Sequence, residues 1–293
     1  MAPERPFAPA EHPDLGWDPR GQSALSGDLL QLFRRLDGVF LGLAGESAAR
    51  EHRFPPFLAA RHLERVNYFR SFPQHATFPV HLEASDENLR AFAGQDALDA
   101  QGNLRLTRTS PPQEVLTPAA CYHFYPRFAG RTLAEPLYVT TMATCFRRER
   151  EYRPLRRQWA FSMREIVCLG SAPEVEAFLA RQRARLQELI DGWGLPLTWQ
   201  VATDPFFDPR NPKVLAQKLD PVKHELTFAG DLAIGSVNLH RNYFGEAFGI
   251  IRAGEPACSG CVAFGLERWL HAILAHFGPR PGDWPGALSG GTP

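Results

Sequence analysis

Apolar residues recur at helical spacing in some stretches of the chain and gather into short aromatic or β-branched runs in others. Behind Ser26 and Asp28, the series Leu29, Leu30, Phe33, Leu36, Phe40 and Leu41 predicts an amphipathic helix over about 26–43. A second helical patch covers Phe57 to Phe69 and stops before Pro73. Strand-like runs follow at Thr77–Leu82, Tyr138–Phe146, Gln158–Cys168, Leu197–Ala202, His224–Phe228 and Ala233–Asn238. Ser171-Ala-Pro-Glu174 is a capping box that opens a helix with Val175, Phe178, Leu179, Leu186, Leu189 and Ile190 on one face, closed by Gly192 and Gly194. A last helix is expected over about 264–277, ended by Gly278-Pro279. Turns and long loops, rather than crossover helices, join the strands. The pattern therefore predicts an α+β fold with a mainly antiparallel sheet flanked by helices.

The Pro-rich residues 1–22 read as a tail or a surface arm, 23–280 as one domain, and the Gly/Pro-rich 281–293 as a second tail. With 32 basic and 32 acidic residues in 293, the net charge is zero. Nucleic-acid binding through phosphates alone normally needs a basic excess. No apolar run approaches the roughly 18 to 20 residues that span a bilayer, and the first residues are unlike a signal peptide, so a cytoplasmic protein is expected. The five cysteines, Cys121, Cys145, Cys168, Cys258 and Cys261, are odd in number and scattered, which argues against a disulfide framework. Lys213, Lys218 and Lys223 are the only lysines and fall within eleven residues.

Two segments carry the chemistry. In Cys145-Phe-Arg147-Arg148-Glu149-Arg150-Glu151, a charged loop lies between two strand-like runs, where forked guanidinium groups can take phosphate or carboxylate. In Cys258-Ser-Gly-Cys261-Val-Ala-Phe-Gly265-Leu-Glu267-Arg268, a glycine-punctuated run enters a helix whose start favours anions. Taken singly, the first is equally a solvated hairpin tip and the second an ordinary helix start with an ion pair. Cys258-x-x-Cys261 has no second Cys-x-x-Cys to complete a four-thiolate zinc ribbon.

Together the two segments resemble motifs 2 and 3 of the class II aminoacyl-tRNA synthetases. Leu116-Thr-Pro-Ala-Ala-Cys121-Tyr-His-Phe-Tyr-Pro126, Trp159-Ala-Phe-Ser-Met-Arg-Glu165-Ile-Val and Ser259-Gly-Cys261 narrow the resemblance to the amino acid:[carrier protein] ligases, truncated relatives of the zinc-containing methanogen-type seryl-tRNA synthetases. It spans about residues 25–280. The resemblance implies that Arg147 holds the ATP α-phosphate and the activated carboxylate, and that Glu149 accepts from the adenine amino group. Phe161 and Arg268 would cover the two faces of adenine, with Arg268 reaching the γ-phosphate. Mg²⁺ would accompany ATP. Cys121, Glu165 and Cys261 would bind Zn²⁺ and leave a position for the α-amino group of a small amino acid, glycine or alanine. Cys258 is the alternative ligand; Cys261 is preferred because it stands inside the Ser-Gly-Cys segment. Arg164 should point to the opposite face of its strand. Cys145 and Cys168 are left to packing.

Only about 25 residues and one helix precede the catalytic text, so the expected acceptor is the phosphopantetheine thiol of an acyl carrier protein rather than tRNA. Carrier proteins are acidic, and the segment 205–224 with Arg210, Lys213 and Lys218 is the candidate docking surface. Class II cores pair through their first motif, which implies a homodimer. Two other functions fit parts of the pattern: a synthetase that charges tRNA with a partner protein, and a non-catalytic sensor of amino acid or nucleotide.

Overall fold

The computed structural model describes residues 8–208, 210 and 220–289. Seven strands form its central sheet: β1 (Arg50–His52), β2 (Leu137–Phe146), β3 (Ala160–Gly170), β4 (Leu197–Val201), β5 (Lys223–Phe228), β6 (Leu232–Arg241) and β7 (Cys258–Gly265). Their order is β1-β2-β3-β7-β6-β5-β4, with β1 parallel to β2 and all other pairs antiparallel. The expected α+β class is observed, because strands adjacent in sequence pair directly and crossovers are few.

Helices α1 (Gly27–Gly45), α2 (Ala172–Trp193) and α4 (Leu266–Phe277) cover one face; α3 (Tyr243–Phe248) and the turns around Cys121 lie on the other. Leu29, Leu32, Leu36 and Phe40 bury the apolar stripe of α1, and the Phe40 ring stacks on Phe264 at 4.0 Å. The start of α2 is fixed as expected, with the Glu174 carboxylate accepting from the Ser171 N–H at 2.7 Å. On β3 the alternation of a strand divides the work. Ile166 and Cys168 face the helices, whereas Val167 and Leu169 pack on the opposite side.

Four expectations give way to tertiary context. The segment Phe57–Phe69 is not one helix: Phe57–Ala59 pairs as a strand with Glu114–Leu116, and two short helices follow, broken at Asn67 with φ 51°. Thr77–Leu82 forms no strand; Pro79 interrupts it, Phe78 and Val80 stay exposed, and only an isolated bridge joins Leu82 to Thr109. The boundary expected at residue 22 falls inside a hairpin, where Leu15–Asp18 pairs with Gln22–Leu25. Past the boundary expected at 280, residues 281–289 are packed, with Trp284 and Leu288 buried and the Leu288 carbonyl accepting from Arg35 at 2.7 Å. Among the described residues, no helix is long and apolar enough to cross a membrane.

Candidate active site

The face of the sheet opposite α1 and α2 opens into a cavity of ≈ 720 Å³. Phe161, Met163 and Glu165 line it from alternate positions of β3, and Cys261, Ala263 and Gly265 do the same from β7. Small residues at Ala263, Gly265 and Ser236 leave the floor low in the middle of the sheet. The cavity is thus written into the strands as a run of missing side-chain volume.

Arg147, Glu149, Phe161 and Arg268 all line this cavity. Arg147 leaves the end of β2 and donates through Nε to the Pro118 carbonyl at 2.8 Å, with its guanidinium 5.3 Å from the Phe161 ring centroid. Arg268, in the first turn of α4, donates through Nε to the Arg156 carbonyl at 2.8 Å and through one terminal nitrogen to the Ala233 carbonyl at 2.7 Å. Both arginines keep further N–H groups for a ligand. Burial, reinforced by the positive Arg147 and Arg157 nearby, pushes the Arg268 guanidinium down to about 10. A cation destabilised in this way is stabilised again when an anion enters. Glu149 is half-buried, and its N–H donates to the Tyr152 hydroxyl at 3.3 Å.

Cys121, Glu165 and Cys261 bring one donor atom each within 4.8 Å of one another, all three buried. Their elements explain the meeting. Glu165 pairs across the sheet with Ala263, so Cys261, two residues away on the same face, is its diagonal neighbour. Cys121 comes down onto them from the 3-10 turn Ala120–His123. Burial holds the Glu165 carboxyl well above the usual range, and its Oε2 has no hydrogen-bond partner. Within the cysteine pair, the hydrogen bond between the two side chains pushes the Cys261 thiol well below its ordinary range and the Cys121 thiol well above it. Two thiols, one carboxylate and an unpartnered buried oxygen suit a soft divalent ion such as zinc. Cys258 is three residues before Cys261 and packs toward the helical face, away from this cluster.

Arg164 lies on the other face of β3, as expected. There it forms a forked pair with Asp37 of α1, whose second contact is 2.8 Å, and meets Glu51 at 3.0 Å. Cys145 and Cys168 are buried in packing. Arg210 is exposed and pairs with Asp208 at 3.2 Å, while Lys213 and Lys218 lie outside the described residues. Lys223 departs from the other two lysines: it is half-buried at the cavity wall between Asp204 at 3.2 Å and Glu225 at 3.0 Å.

Several cavity residues escaped the sequence reading. Met163, Lys223, Glu225, Asn238 and His240 line the cavity. Period-2 alternation counted from Phe161 and Glu165 could have found Met163, but strand register across the sheet was needed for Asn238 and His240. Glu267 is buried in the first turn of α4 and accepts from the Ser162 N–H through both oxygens, at 2.9 and 2.8 Å. Burial pushes its carboxyl up to about 7.

No protein-family model matches the chain. It is 36% identical over 249 residues to amino acid–[acyl-carrier-protein] ligase 1 of Bradyrhizobium diazoefficiens, covering 82% of this chain and 75% of that one. Ligase 2 of the same organism is 37% identical over 245 residues. A type-2 serine–tRNA ligase of Methanococcus maripaludis is 24% identical over 284 residues, and this chain spans 55% of its length. Among solved structures, M. kandleri SerRS, crystallised with A. aeolicus tRNASec, superposes with a TM-score of 0.80 at 19% identity, over 94% of this chain and 57% of that one. The serine–tRNA ligase of Naegleria fowleri in complex with AMP gives 0.67 at 13% identity, over 92% of this chain and 60% of its own. The fold is that of the class II synthetase catalytic core.

Proposed function

The chain belongs to the family of amino acid–[acyl-carrier-protein] ligases, and from that membership we propose that it activates a small amino acid, glycine or alanine, with ATP and transfers it to the phosphopantetheine thiol of an acyl carrier protein. One observation carries the reading: Arg147, Glu149, Phe161 and Arg268 share a single cavity with Cys121, Glu165 and Cys261. A nucleotide and an amino acid held at the two ends of that cavity would meet in its middle.

ATP enters as its Mg²⁺ complex. Phe161 and Arg268 take the adenine, Glu149 accepts from its amino group, and Arg147 holds the α-phosphate. An oxygen of the amino-acid carboxylate bonds to the α-phosphorus as the bond to pyrophosphate breaks. Charge grows on the phosphoryl oxygens, and the two arginines are already tethered where that charge appears, so little reorganisation is needed. The carrier thiol then attacks the acyl carbon and releases AMP. Zinc held by Cys121, Glu165 and Cys261 would supply a Lewis-acid seat for a neutral α-amino group. Tyr122 and Phe244, in edge contact at 5.9 Å, crowd the cysteine end and favour a small side chain.

The proposal includes a homodimer, and docking of the acidic carrier at Arg210, Lys213 and Lys218. Amino-acid-dependent exchange of labelled pyrophosphate into ATP tests the first step, and the expected result is exchange with glycine or alanine well above that with larger amino acids. Absence of exchange with every amino acid would favour a sensor. Transfer of labelled amino acid to holo-carrier protein, compared with tRNA, tests the second step; label on tRNA alone would overturn the acceptor. Charge reversal at Arg210, Lys213 and Lys218 should slow the transfer and leave exchange intact.

A further inference from the structure

Cys261 is surrounded differently from the other two members of its cluster. Asn238 sits directly opposite it on β6, and the Asn238 Nδ2 donates to the Cys261 Sγ at 3.3 Å and to the Ser236 Oγ at 2.9 Å. His240, two residues further along the same strand, brings Nε2 to 3.5 Å from the same sulfur. Its other nitrogen, Nδ1, meets the Tyr125 hydroxyl at 3.1 Å and the Ser259 hydroxyl at 3.1 Å. With a hydroxyl donating to Nδ1, the imidazole carries its proton on Nε2, aimed at the sulfur. Cys121, in contrast, makes its polar contacts with Cys261 and Glu165.

The backbone is shaped to make this arrangement. The register of β6 against β7 slips between Leu239 and Arg241, so His240 is the extra residue of a bulge. Arg241 adopts φ 54°, a left-handed conformation that a long side chain rarely takes, and its side chain forms an ion pair with Asp220. Bulges of this kind re-aim a side chain beside a site. Tyr125 is fully buried and stacked on Phe244 at 3.7 Å, so the group that orients His240 is itself immobile.

We infer that Asn238 and His240 are positioning residues for the metal, an outer layer of two N–H donors that aims the Cys261 sulfur and stabilises its negative charge so that this cysteine anchors the ion. The inference rests on the zinc site proposed above. Outer-layer donors fix ligand direction before the ion arrives and thereby raise affinity. His240 acts through the sulfur and is not a ligand itself: its Nε2 presents a proton, and the group of donors within 4.8 Å contains Cys121, Glu165 and Cys261 alone among the described residues.

The test is zinc affinity of the full chain, stripped and reloaded, measured against a chromogenic chelator. Asn238→Leu and His240→Phe should each weaken zinc binding roughly ten- to a hundredfold. His240→Gln, which returns an amide N–H close to the place of Nε2, should recover most of the loss. With cobalt in place of zinc, the sulfur-to-metal charge-transfer bands should keep their intensity in all variants, because both sulfurs remain. Folding is checked by thermal melting; if His240→Phe does not fold, Asn238→Leu and His240→Gln decide. Folded Asn238→Leu and His240→Phe with wild-type affinity would overturn the inference. So would a changed cobalt coordination spectrum in His240→Gln, which would make His240 a ligand. A wild-type chain that takes up no zinc would overturn the proposed metal itself, a separate outcome visible before any variant is made.

Discussion

At the arginine end of the cavity, Arg147 and Arg268 are tied through Nε to main-chain carbonyls, those of Pro118 and Arg156. At the cysteine end, the Cys261 sulfur is held by side chains, Asn238 and His240, from a neighbouring strand. A main-chain tether is indifferent to which residue supplies the carbonyl. A side-chain tether demands one residue type at one register position. The arginine end should therefore tolerate changes in its surroundings, and the cysteine end should not.

The sharpest way to break this contrast is to change one reacting group at each end. On the proposed function, Cys261→Ser should abolish zinc binding and reduce amino-acid-dependent pyrophosphate exchange about 10³-fold. Arg268→Lys, which gives up the forked geometry, should reduce exchange about 10²-fold with zinc content unchanged, in line with the loss of one preorganised charge partner. Loss of zinc in Arg268→Lys would mean that the two ends are not independent.

A second measurement concerns Glu267, which ties α4 to β3 at the arginine end. Its carboxyl, pushed from 4.5 up to about 7 by burial, binds a proton more tightly in the folded chain than in the unfolded one. Its contribution to stability is then fully present below about pH 4.5 and is lost as pH rises through about 7. Relative to Glu267→Gln, wild-type stability should fall by about 3 kcal/mol between these limits, read from denaturant midpoints across pH. A flat difference would remove the perturbed carboxyl.

Two glycines on β7 compare the helical face of the sheet with the cavity face by packing. A Cβ at Gly260 would meet Leu179 and Val175 methyl groups at 2.9 Å and the Asn238 carbonyl at 3.0 Å, whereas a Cβ at Gly265 finds nothing nearer than 3.7 Å. Gly260→Ala should cost about 1–3 kcal/mol in chemical denaturation and Gly265→Ala well under 1. Equal costs would show that the helical face is no more tightly packed than the cavity face. The smallest effect is expected from Phe161→Leu, where loss of a stacking face should raise the KM for ATP by up to about tenfold.

How much of this was legible in sequence follows the same division. The Ser171–Glu174 capping box and the aromatic and β-branched runs from Tyr138 to Asn238 announce their helix and strands, because local bonds and local burial decide them. Arg147 and Arg268 were readable for the same reason, each standing in a compact motif. Asn238 and His240 were not, because their meaning depends on the pairing of β6 with β7 some twenty residues away. Phe57–Phe69 misled for a related reason: Leu58 is claimed by a strand pairing with Val115, a contact that no local window contains. Lys223 looked like the other lysines until folding placed it between Asp204 and Glu225. Trp284 and Leu288 sit in Gly/Pro-rich text that resembles a frayed end, and only the groove beside α1 gives them a place.

Strand β3 also acts as a ruler. Phe161, Met163 and Glu165 stand on one face, so the interval from ring to carboxylate is four residues, about 13 Å along an extended strand. An extended strand neither stretches nor shortens, and its graduations are two residues apart, about 7 Å. A substrate longer by one or two bonds cannot be met by sliding a residue along that scale, since the next mark overshoots and the one between faces the helices. Adjustment to a different amino acid must come from the turn that carries Cys121, the one part of the cluster not carried by a strand of the sheet.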